Sequence, residues 1–301
     1  MLPKFPNLKK VEISDFKDIE ALTHKFPPYN DFEFASLWTY DTRGKNEIGL
    51  LNENLVVKIQ DFLSGDLFYS FIGTTMVDKT IATLLESCKK EGLEEKLYLV
   101  PEVSIKEIKD SSRINIVNDL DSADYILSID ELSNLAGKKY YDKRNLVNRF
   151  KKNYPEHNVE MLDLDSPKIQ NELLELFLKW EKNKNKKSED TEIELIAVKK
   201  LFSILNLLNV YGLGVHIDNQ LVGFSTYHKI DNDYAIMTFE KGDISFEGIY
   251  SYLNHKTAIH LSELGAKYLN YEQDLGIPGL KKAKQLWRPV FYLNKYSISP
   301  K

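Results

Sequence analysis

The sequence predicts an α/β protein made of two halves, each built around a mixed sheet. Its 301 residues exceed the roughly 100–200 residues of a usual domain, so two domains are expected. Strand-like runs followed by a helix and a further strand are typical of a mixed α/β sheet. Because this order restarts after residues 115–121, we predict domains at residues 1–117 and 118–301.

The first half shows a fainter version of this order. A serine that can cap a helix precedes apolar residues at helical spacing over residues 14–24. Short apolar runs separated by polar turns then predict three meander strands, at residues 48–51, 55–59 and 67–71. A helix at residues 79–89 and a strand at residues 97–100 complete this half.

The second half repeats the order at greater length. A strand at residues 125–128 leads into a helix predicted over residues 134–153. Apolar runs joined by Asp-Asn turns predict three further strands, at residues 213–217, 221–228 and 234–239. A helix at residues 249–264 ends at Gly265, a residue type favoured just beyond a helix, and leads into a strand at residues 268–271.

Composition and charge exclude several classes of protein. No apolar run reaches the roughly 18–20 residues that span a bilayer, and the first residues lack an apolar signal region, so we expect a cytoplasmic protein. The net charge of −5 argues against non-specific coating of nucleic acid. Residues 138–152 nevertheless carry seven basic residues and one acid. With one cysteine and no histidines at ligand spacing, we predict no metal and no resident cofactor.

The densest unusual segment is residues 270–284, which combine a strand end, two acids, two glycines and a helix start. Pro278 suits the first turn of a helix, whose free N–H groups can hold an anion or a developing oxyanion. Loops at the carboxyl ends of sheet strands are also where α/β folds place ligands. The alternative is a capped turn with solvated lysines. The candidate residues of this segment are Glu272, Asp274, Gly276, Gly279, Lys281 and Lys284.

The basic segment is the second candidate site. On a helix Arg144, Asn148 and Lys151 share one face, so together with Lys143 they can meet a row of phosphates. The alternative is a solvated charged face, which is the commoner role of such a helix.

Several strings of the sequence resemble a known family. They are Lys138-Lys139-Tyr140-Tyr141-Asp142-Lys143-Arg144-Asn145-Leu146-Val147-Asn148-Arg149-Phe150, Glu240-Lys241-Gly242-Asp243, Phe34-Ala35-Ser36-Leu37-Trp38-Thr39-Tyr40 and, most specifically, Gln273-Asp274-Leu275-Gly276-Ile277-Pro278-Gly279-Leu280. Together they are similar to the small stand-alone branch of the phosphatidylglycerol lysyltransferase C-terminal-domain family.

The resemblance implies a tandem GNAT-like fold, similar to that of the Fem peptidyl transferases. Members with known activity move an aminoacyl group from a charged tRNA to a lipid hydroxyl, so an aminoacyl-tRNA is the expected partner. The transmembrane half of those members is absent from the 301 residues. The expected acceptor is therefore a hydroxyl or amine on a lipid or a small molecule, while the amino acid and the oligomeric state stay open.

An aminoacyl ester is already activated, so its transfer needs alignment of the acceptor and stabilisation of an oxyanion rather than a covalent nucleophile. The resemblance implies that the basic helix holds the acceptor-stem phosphates. It also implies that acids at the strand ends bind the donor's amino group or deprotonate the acceptor, and that a lysine stabilises negative charge. The catalytic candidates are Glu240, Asp243, Glu272, Asp274 and Lys284, and Lys241 and Tyr250 join the substrate-binding candidates.

Two other functions stay open at this point. A GNAT acyltransferase would share the fold and take an acyl thioester, but such enzymes wrap the CoA pyrophosphate with a loop of the type R/Q-x-x-G-x-G/A. Residues 241–248 do not match that loop, and Asp243 and Glu247 would repel a pyrophosphate. A non-catalytic binding protein of the same fold would keep the basic face without needing the acids.

Overall fold

The computed structural model describes residues 1–61, 64–183, 189–231 and 233–301. Contacts divide the chain into two compact units. Unit 1 comprises Met1–Asp124, Gln273–Lys281 and Tyr292–Lys301. Unit 2 comprises Tyr125–Glu272 and Lys282–Phe291. The predicted domains at residues 1–117 and 118–301 were defined by a repeated order of strands and helices and not by contacts. They stay a prediction.

The first elements along the chain belong to unit 1. The strands are β1 (Lys9–Lys10), β2 (Glu47–Leu51), β3 (Asn54–Gln60), β4 (Leu67–Ile72), β5 (Leu97–Pro101) and β6 (Ile114–Ser128), whose last residues enter unit 2. The helices are α1 (Phe16–Thr23), α2 (Phe34–Thr39), α3 (Val77–Lys90) and α4 (Glu102–Ile105).

The remaining elements lie mainly in unit 2. The helices are α5 (Ile129–Asn134), α6 (Tyr141–Asn153), α7 (Pro167–Asn183), α8 (Glu189–Phe202), α9 (Leu205–Leu208), α10 (Ile249–Glu263) and α11 (Pro278–Gln285). The strands are β7 (Asn158–Met161), β8 (Tyr211–Ile217), β9 (Gln220–Lys229), β10 (Tyr234–Gly242), β11 (Tyr268–Asn270) and β12 (Phe291–Pro300), which belongs to unit 1 from Tyr292 onward. Among the described residues, no helix has both the length and the apolar composition needed to cross a membrane.

The strands of unit 1 follow the order β1-β2-β3-β4-β5-β12-β6. Hairpins make β2, β3 and β4 antiparallel, whereas β4 and β5 run parallel. Parallel neighbours need a crossover connection, and α3 supplies it. Val77, Ile81, Leu84 and Cys88 are spaced by three or four residues on α3, and they pack in one core cluster with Phe71. This half therefore has the mixed sheet that its sequence predicts.

The strands of unit 2 follow the order β6-β11-β10-β9-β8-β7. Antiparallel pairs join β7 to β8, β8 to β9 and β9 to β10, and then α10 crosses to β11, which runs parallel to β10. Both units thus contain a meander followed by a helix and a parallel strand. The predicted α/β fold with two mixed-sheet halves is confirmed.

Helix α10 is central to the core of unit 2. Tyr252, Leu253 and Leu261 lie in one buried cluster with Phe150 of α6, and the rings of Phe150 and Tyr252 stack at 4.6 Å between centroids. Fully burying side chains of this size stabilises a fold by about 1.5–3 kcal/mol each. This packing gives α10 a fixed position beside β9 and β10, and so fixes the polar residues that it also carries.

The predicted single helix over residues 134–153 is wrong, because α5 ends at Asn134 and α6 begins at Tyr141. Leu135 has a φ of +48° and Gly137 a φ of +79°. These left-handed conformations end a helix. The break separates the α5 turns, which continue from β6, from the basic helix α6.

Candidate active site

The carboxyl ends of β10 and β11 separate in unit 2. The last residue pair that joins these parallel strands is Ile236 with Asn270. Beyond it β10 continues to Gly242 while paired with β9, whereas β11 has ended. Glu240 and Tyr271 therefore lie past the last shared pair, at the kind of strand end where α/β sheets leave room for a ligand.

The Glu240 carboxylate is the centre of a polar group of side chains. The Tyr271 hydroxyl and the Asn254 side-chain amide both donate hydrogen bonds to it. The same amide nitrogen lies 3.2 Å from the Tyr271 hydroxyl and 3.2 Å from the backbone oxygen of Tyr250. Because Asn254 is only 1% exposed and sits on the packed helix α10, it holds the carboxylate in one place.

Burial and neighbouring charges act on Glu240 in opposite directions. Burial raises the pKa of Glu240, while hydrogen bonds from Tyr271 and Asn254 and the positive charges of Lys143 and Lys284 oppose that rise. Burial also raises the pKa of Tyr271 well above its usual value, and the nearby Glu240 charge adds to the rise. Tyr271 is therefore protonated at neutral pH and acts as a hydrogen-bond donor.

Two lysines bring positive charge to this carboxylate from α6 and α11. Lys284 is 6% exposed, and its ammonium donates to the backbone oxygen of Tyr271. The Lys143 ammonium lies 3.8 Å from the ring centroid of Trp287, within range of a cation–π attraction. Burial lowers the pKa of Lys143 to about 8, and the Glu240 charge opposes this fall. We call Glu240, Asn254, Tyr271, Lys143 and Lys284 the Glu240 cluster.

Tyr250 borders the Glu240 cluster one helical turn before Asn254. Burial raises the pKa of Tyr250, and the charge of Glu240 adds to the rise. Its hydroxyl has hydrogen-bond partners in the Trp180 side chain and the backbone of Gly242. Tyr250 therefore connects the end of β10 with α7 on one side of the cluster.

Lys241 follows Glu240 in the strand and has other partners. Its ammonium lies 3.0 Å from a carboxylate oxygen of Glu194 and 4.0 Å from the ring centroid of Trp180. Successive side chains of a strand point to opposite faces. The predicted substrate-binding residue Lys241 is thus engaged with α7 and α8.

Asp243 stabilises the turn that follows β10. Its carboxylate, 1% exposed, lies 2.8 Å from the Lys179 ammonium. It also accepts hydrogen bonds from the Ser245 amide at 3.0 Å and hydroxyl at 2.7 Å. Burial acts to raise the pKa of Asp243, but the bonds from Lys179 and Ser245 outweigh it and lower the pKa. These contacts favour a structural role for this predicted catalytic residue.

The predicted segment at residues 270–284 is divided between the two units. Glu272, half-buried in unit 2, has a φ of +58°, and its amide donates to the Asn270 side chain at 2.8 Å. Four of the other candidates belong to unit 1: Asp274, Gly276, Gly279 and Lys281. Lys284 lies in unit 2 with Glu272. Of the segment's candidates, Lys284 therefore joins the Glu240 cluster.

The candidates in unit 1 form a turn anchored to β6. Asp274 is fully buried and accepts a hydrogen bond from the Gly276 amide at 2.9 Å. The Lys281 ammonium lies 2.7 Å from an Asp121 carboxylate oxygen, and a Cβ on Gly276 would lie 3.1 Å from the same carboxylate. Gly279 is exposed, with open space where its Cβ would be.

The four candidates on α6 do not form one row. Arg144 donates to the backbone oxygens of Leu135 and, at 2.7 Å, Gly137, and so it fixes the break before α6. Asn148 and Lys151 are exposed to solvent. Since Lys143 lies instead beside Trp287, α6 presents one lysine to the cluster and others to solvent.

Sequence reasoning missed Asn254 and Trp287 and gave Tyr271 no role in the site. Asn254 follows Tyr250 by four residues, so the two share a helix face, and a polar residue on an otherwise apolar face was a usable signal. Trp287 is 3% exposed and shows no local pattern that points to Lys143. Its contact depends on the packing of distant segments.

The fold and the site define an α/β protein with a mixed sheet in each unit and a polar cluster where two strand ends separate. The chain belongs to the phosphatidylglycerol lysyltransferase C-terminal family, whose model matches residues 35–299. The family expected from the sequence is thus confirmed. The match includes residues of both units.

Solved structures share the fold. A conserved protein of unknown function from Bacteroides thetaiotaomicron is 28% identical, with a TM-score of 0.84 over 100% of both chains. L-PGS from Bacillus licheniformis is 14% identical, with a TM-score of 0.61 over 100% of this chain and 94% of that one.

An uncharacterized protein of Mycoplasmoides gallisepticum is similar in sequence. It is 23% identical over 201 residues, which are 65% of this chain and 62% of that protein. The chain thus spans less than two thirds of the length of that relative.

Proposed function

We propose that the protein transfers an aminoacyl group from an aminoacyl-tRNA to a hydroxyl or amine acceptor at the Glu240 cluster. The observation that carries the proposal is the Glu240 carboxylate, held by Asn254 and Tyr271 where β10 and β11 separate. An aminoacyl ester has a free ammonium group, which a fixed and partly buried carboxylate can bind through a charge-assisted hydrogen bond. The name of the family, phosphatidylglycerol lysyltransferase, also supports an aminoacyl group as the one transferred.

The other parts of the cluster have roles that fit this donor. Lys284 brings a buried positive charge close to Tyr271, where it can stabilise an oxyanion that develops on the ester carbonyl. Tyr250 borders the space beside Glu240. Asn148 and Lys151 of α6 are exposed and can contact the phosphates of the tRNA.

The turn after β10 argues against acyl-CoA as the donor. A pyrophosphate cradle needs backbone N–H groups that are free to bind oxygen. Here five of the N–H groups already donate to acceptors within the protein, those of Asp243, Ser245, Phe246, Glu247 and Ile249. The buried Asp243 carboxylate adds negative charge at the same place.

The test is a transfer assay with purified protein, tRNA charged with radiolabelled amino acids, and separate pools of lipid and small-molecule acceptors. We expect label to move into one acceptor pool. Glu240→Gln keeps the shape but loses the charge, and it should lower the rate by about 100-fold, as expected for a group that binds the reacting donor. Glu175→Gln, at an exposed position of α7, is the matched control and should match the unaltered protein.

Two outcomes would overturn the proposal. Transfer from acyl-CoA but from no charged tRNA would assign the alternative donor. Tight tRNA binding that survives Glu240→Gln, without transfer to any acceptor, would assign a binding protein.

A further inference from the structure

Lys143 differs from the other cations of α6 in its surroundings. Its ammonium lies over the Trp287 ring at 3.8 Å, and its charge and that of Glu240 act on each other. Arg144 is bound to backbone oxygens, and Lys151 is exposed. Across the part of the chain that the structure describes, the Lys143 ammonium has neither a hydrogen bond nor an ion pair within bonding distance.

The other ionisable groups of the Glu240 cluster are already engaged. One oxygen of Glu240 accepts a hydrogen bond from Asn254 and the other accepts one from Tyr271, so each oxygen already has a donor within the protein. The Lys284 ammonium donates to the backbone oxygen of Tyr271. Lys143 differs from them, because in the described residues its nitrogen contacts the Trp287 ring and has no hydrogen bond or ion pair.

We propose that Lys143 is the acid–base residue of the transfer and that Trp287 positions it. This inference rests on the proposed function. The neutral amine of Lys143 takes the proton from the acceptor's hydroxyl or amine while that oxygen or nitrogen bonds to the aminoacyl carbonyl carbon. The tetrahedral intermediate then breaks its bond to the ribose oxygen of the tRNA, and the Lys143 ammonium returns the proton to that oxygen. Protons and electrons balance without a further reactant.

The surroundings of Lys143 suit a base that works near neutral pH. Burial lowers its pKa to about 8, and Glu240, from β10, is the charged group in the described residues that acts on Lys143 and opposes the fall. A general base is most effective when its pKa lies near the working pH. Trp287 is itself fixed, since it is 3% exposed and its backbone oxygen accepts from the Tyr140 hydroxyl at 3.3 Å.

The first test measures the pKa of Lys143 directly and does not depend on transfer activity. Lysines of the folded protein are labelled with trace acetic anhydride across a pH series, and each site is quantified by mass spectrometry. We expect Lys143 to label with a midpoint near pH 8, well below the midpoint of the exposed Lys267, whose pKa the neighbouring Asp233 carboxylate raises. A common midpoint for the two lysines would overturn the inference.

The second test follows the transfer rate against pH. Deprotonation of Lys143 should make the rate rise through about pH 8 and then level off. Lys143→Arg keeps a positive charge but cannot act as a base in this range, and it should lose at least 100-fold in rate with tRNA affinity unchanged. Lys199→Arg, at an exposed position of α8, should leave the rate and its pH profile as they are.

Two variants of Trp287 distinguish a role in positioning Lys143 from a role in stability alone. Trp287→Phe retains an aromatic face for the ammonium, and Trp287→Leu retains only bulk. We expect the Leu variant to shift the pH profile and lower kcat while KM for the tRNA stays the same, with the Phe variant closer to the unaltered protein. An unchanged profile in Lys143→Arg or Trp287→Leu contradicts the inference. Absence of transfer by the unaltered protein contradicts the proposed function instead, because the labelling midpoint is measured independently.

Discussion

Lys295 in unit 1 is a fully buried lysine whose charge is balanced by two aspartates. Its ammonium lies 2.7 Å from an Asp124 oxygen and forms a second ion pair with Asp31. The Gln273 side-chain oxygen accepts a hydrogen bond from Lys295 at 3.3 Å, and its side-chain amide donates one to Asp31 at 3.3 Å. Burial acts to lower the pKa of Lys295, but the two carboxylates outweigh it and raise the pKa. Each charge of this group therefore depends on the others for its place in the core.

Replacing Lys295 by methionine should be strongly destabilising. The change keeps most of the side-chain length but leaves Asp124 and Asp31 without their cation, and a broken buried pair costs about 3–5 kcal/mol. Urea unfolding measures the loss. Lys79→Met at an exposed position of α3 is the control and should stay within about 0.5 kcal/mol. A loss below about 1 kcal/mol in Lys295→Met would show that the pair contributes little to folding.

Single residues show how far sequence patterns reach. Glu240 and Lys284 could be named as candidates because Glu240 lies near a strand end and Lys284 lies in the segment after β11 that contains a helix start, features that have a local signature. The sequence could not distinguish the roles of Lys143 and Arg144, because both belong to one predicted basic helix. One contacts Trp287 and the other contacts backbone oxygens before α6. The partner of Lys143 is far away in sequence, and the Arg144 contacts depend on the break before α6, so a local helical pattern contains neither.

At the scale of elements, the meander strands and the crossover helices were predictable because apolar periodicity and polar turns encode them. The strands at residues 213–217, 221–228 and 234–239 became β8, β9 and β10 with small extensions. The break between α5 and α6 was not predictable, because a leucine and a glycine adopt left-handed conformations that the helical pattern did not reveal. The division of the segment after β11 between two units was equally hidden, since it depends on contacts with β6 and β12.

The start of α10 depends on Gly248. This residue has a φ of +90°, and a Cβ there would lie 2.6 Å from the backbone oxygen of Leu146 in α6. Gly248→Ala should therefore cost about 2–4 kcal/mol, from backbone strain and from displacement of α6 against α10. Gly265, at the other end of α10, has a φ of +77° and open space around its Cβ. Gly265→Ala should cost only about 1 kcal/mol. Equal losses in denaturant unfolding would contradict the close approach of α6.

At the scale of the whole chain, charge is unevenly distributed. The net charge is −5, and residues 138–152 carry +6, which leaves −11 over the rest of the sequence. Two cations of this region are paired within unit 2, Arg149 with Glu247 and Lys139 with Glu131. A polyanion such as tRNA is therefore repelled by most of the chain and attracted to the exposed lysines of α6.

This balance leads to a prediction for the salt dependence of the proposed tRNA binding. Each lysine that contacts a phosphate releases about one counterion, so removing it should lower the slope of log affinity against log salt by about 1. Lys151 and Lys152 are exposed at the end of α6. The double change Lys151→Ala and Lys152→Ala should therefore lower the slope by about 2 and weaken binding at every salt concentration. Fluorescence anisotropy with labelled tRNA over about 50–300 mM KCl measures both quantities. Lys199→Ala, on an exposed part of α8, changes the net charge without touching α6 and should leave the slope unchanged. If the double variant and Lys199→Ala showed the same slope, net charge rather than phosphate contact would account for tRNA affinity. Helix α6 would then be only a solvated face.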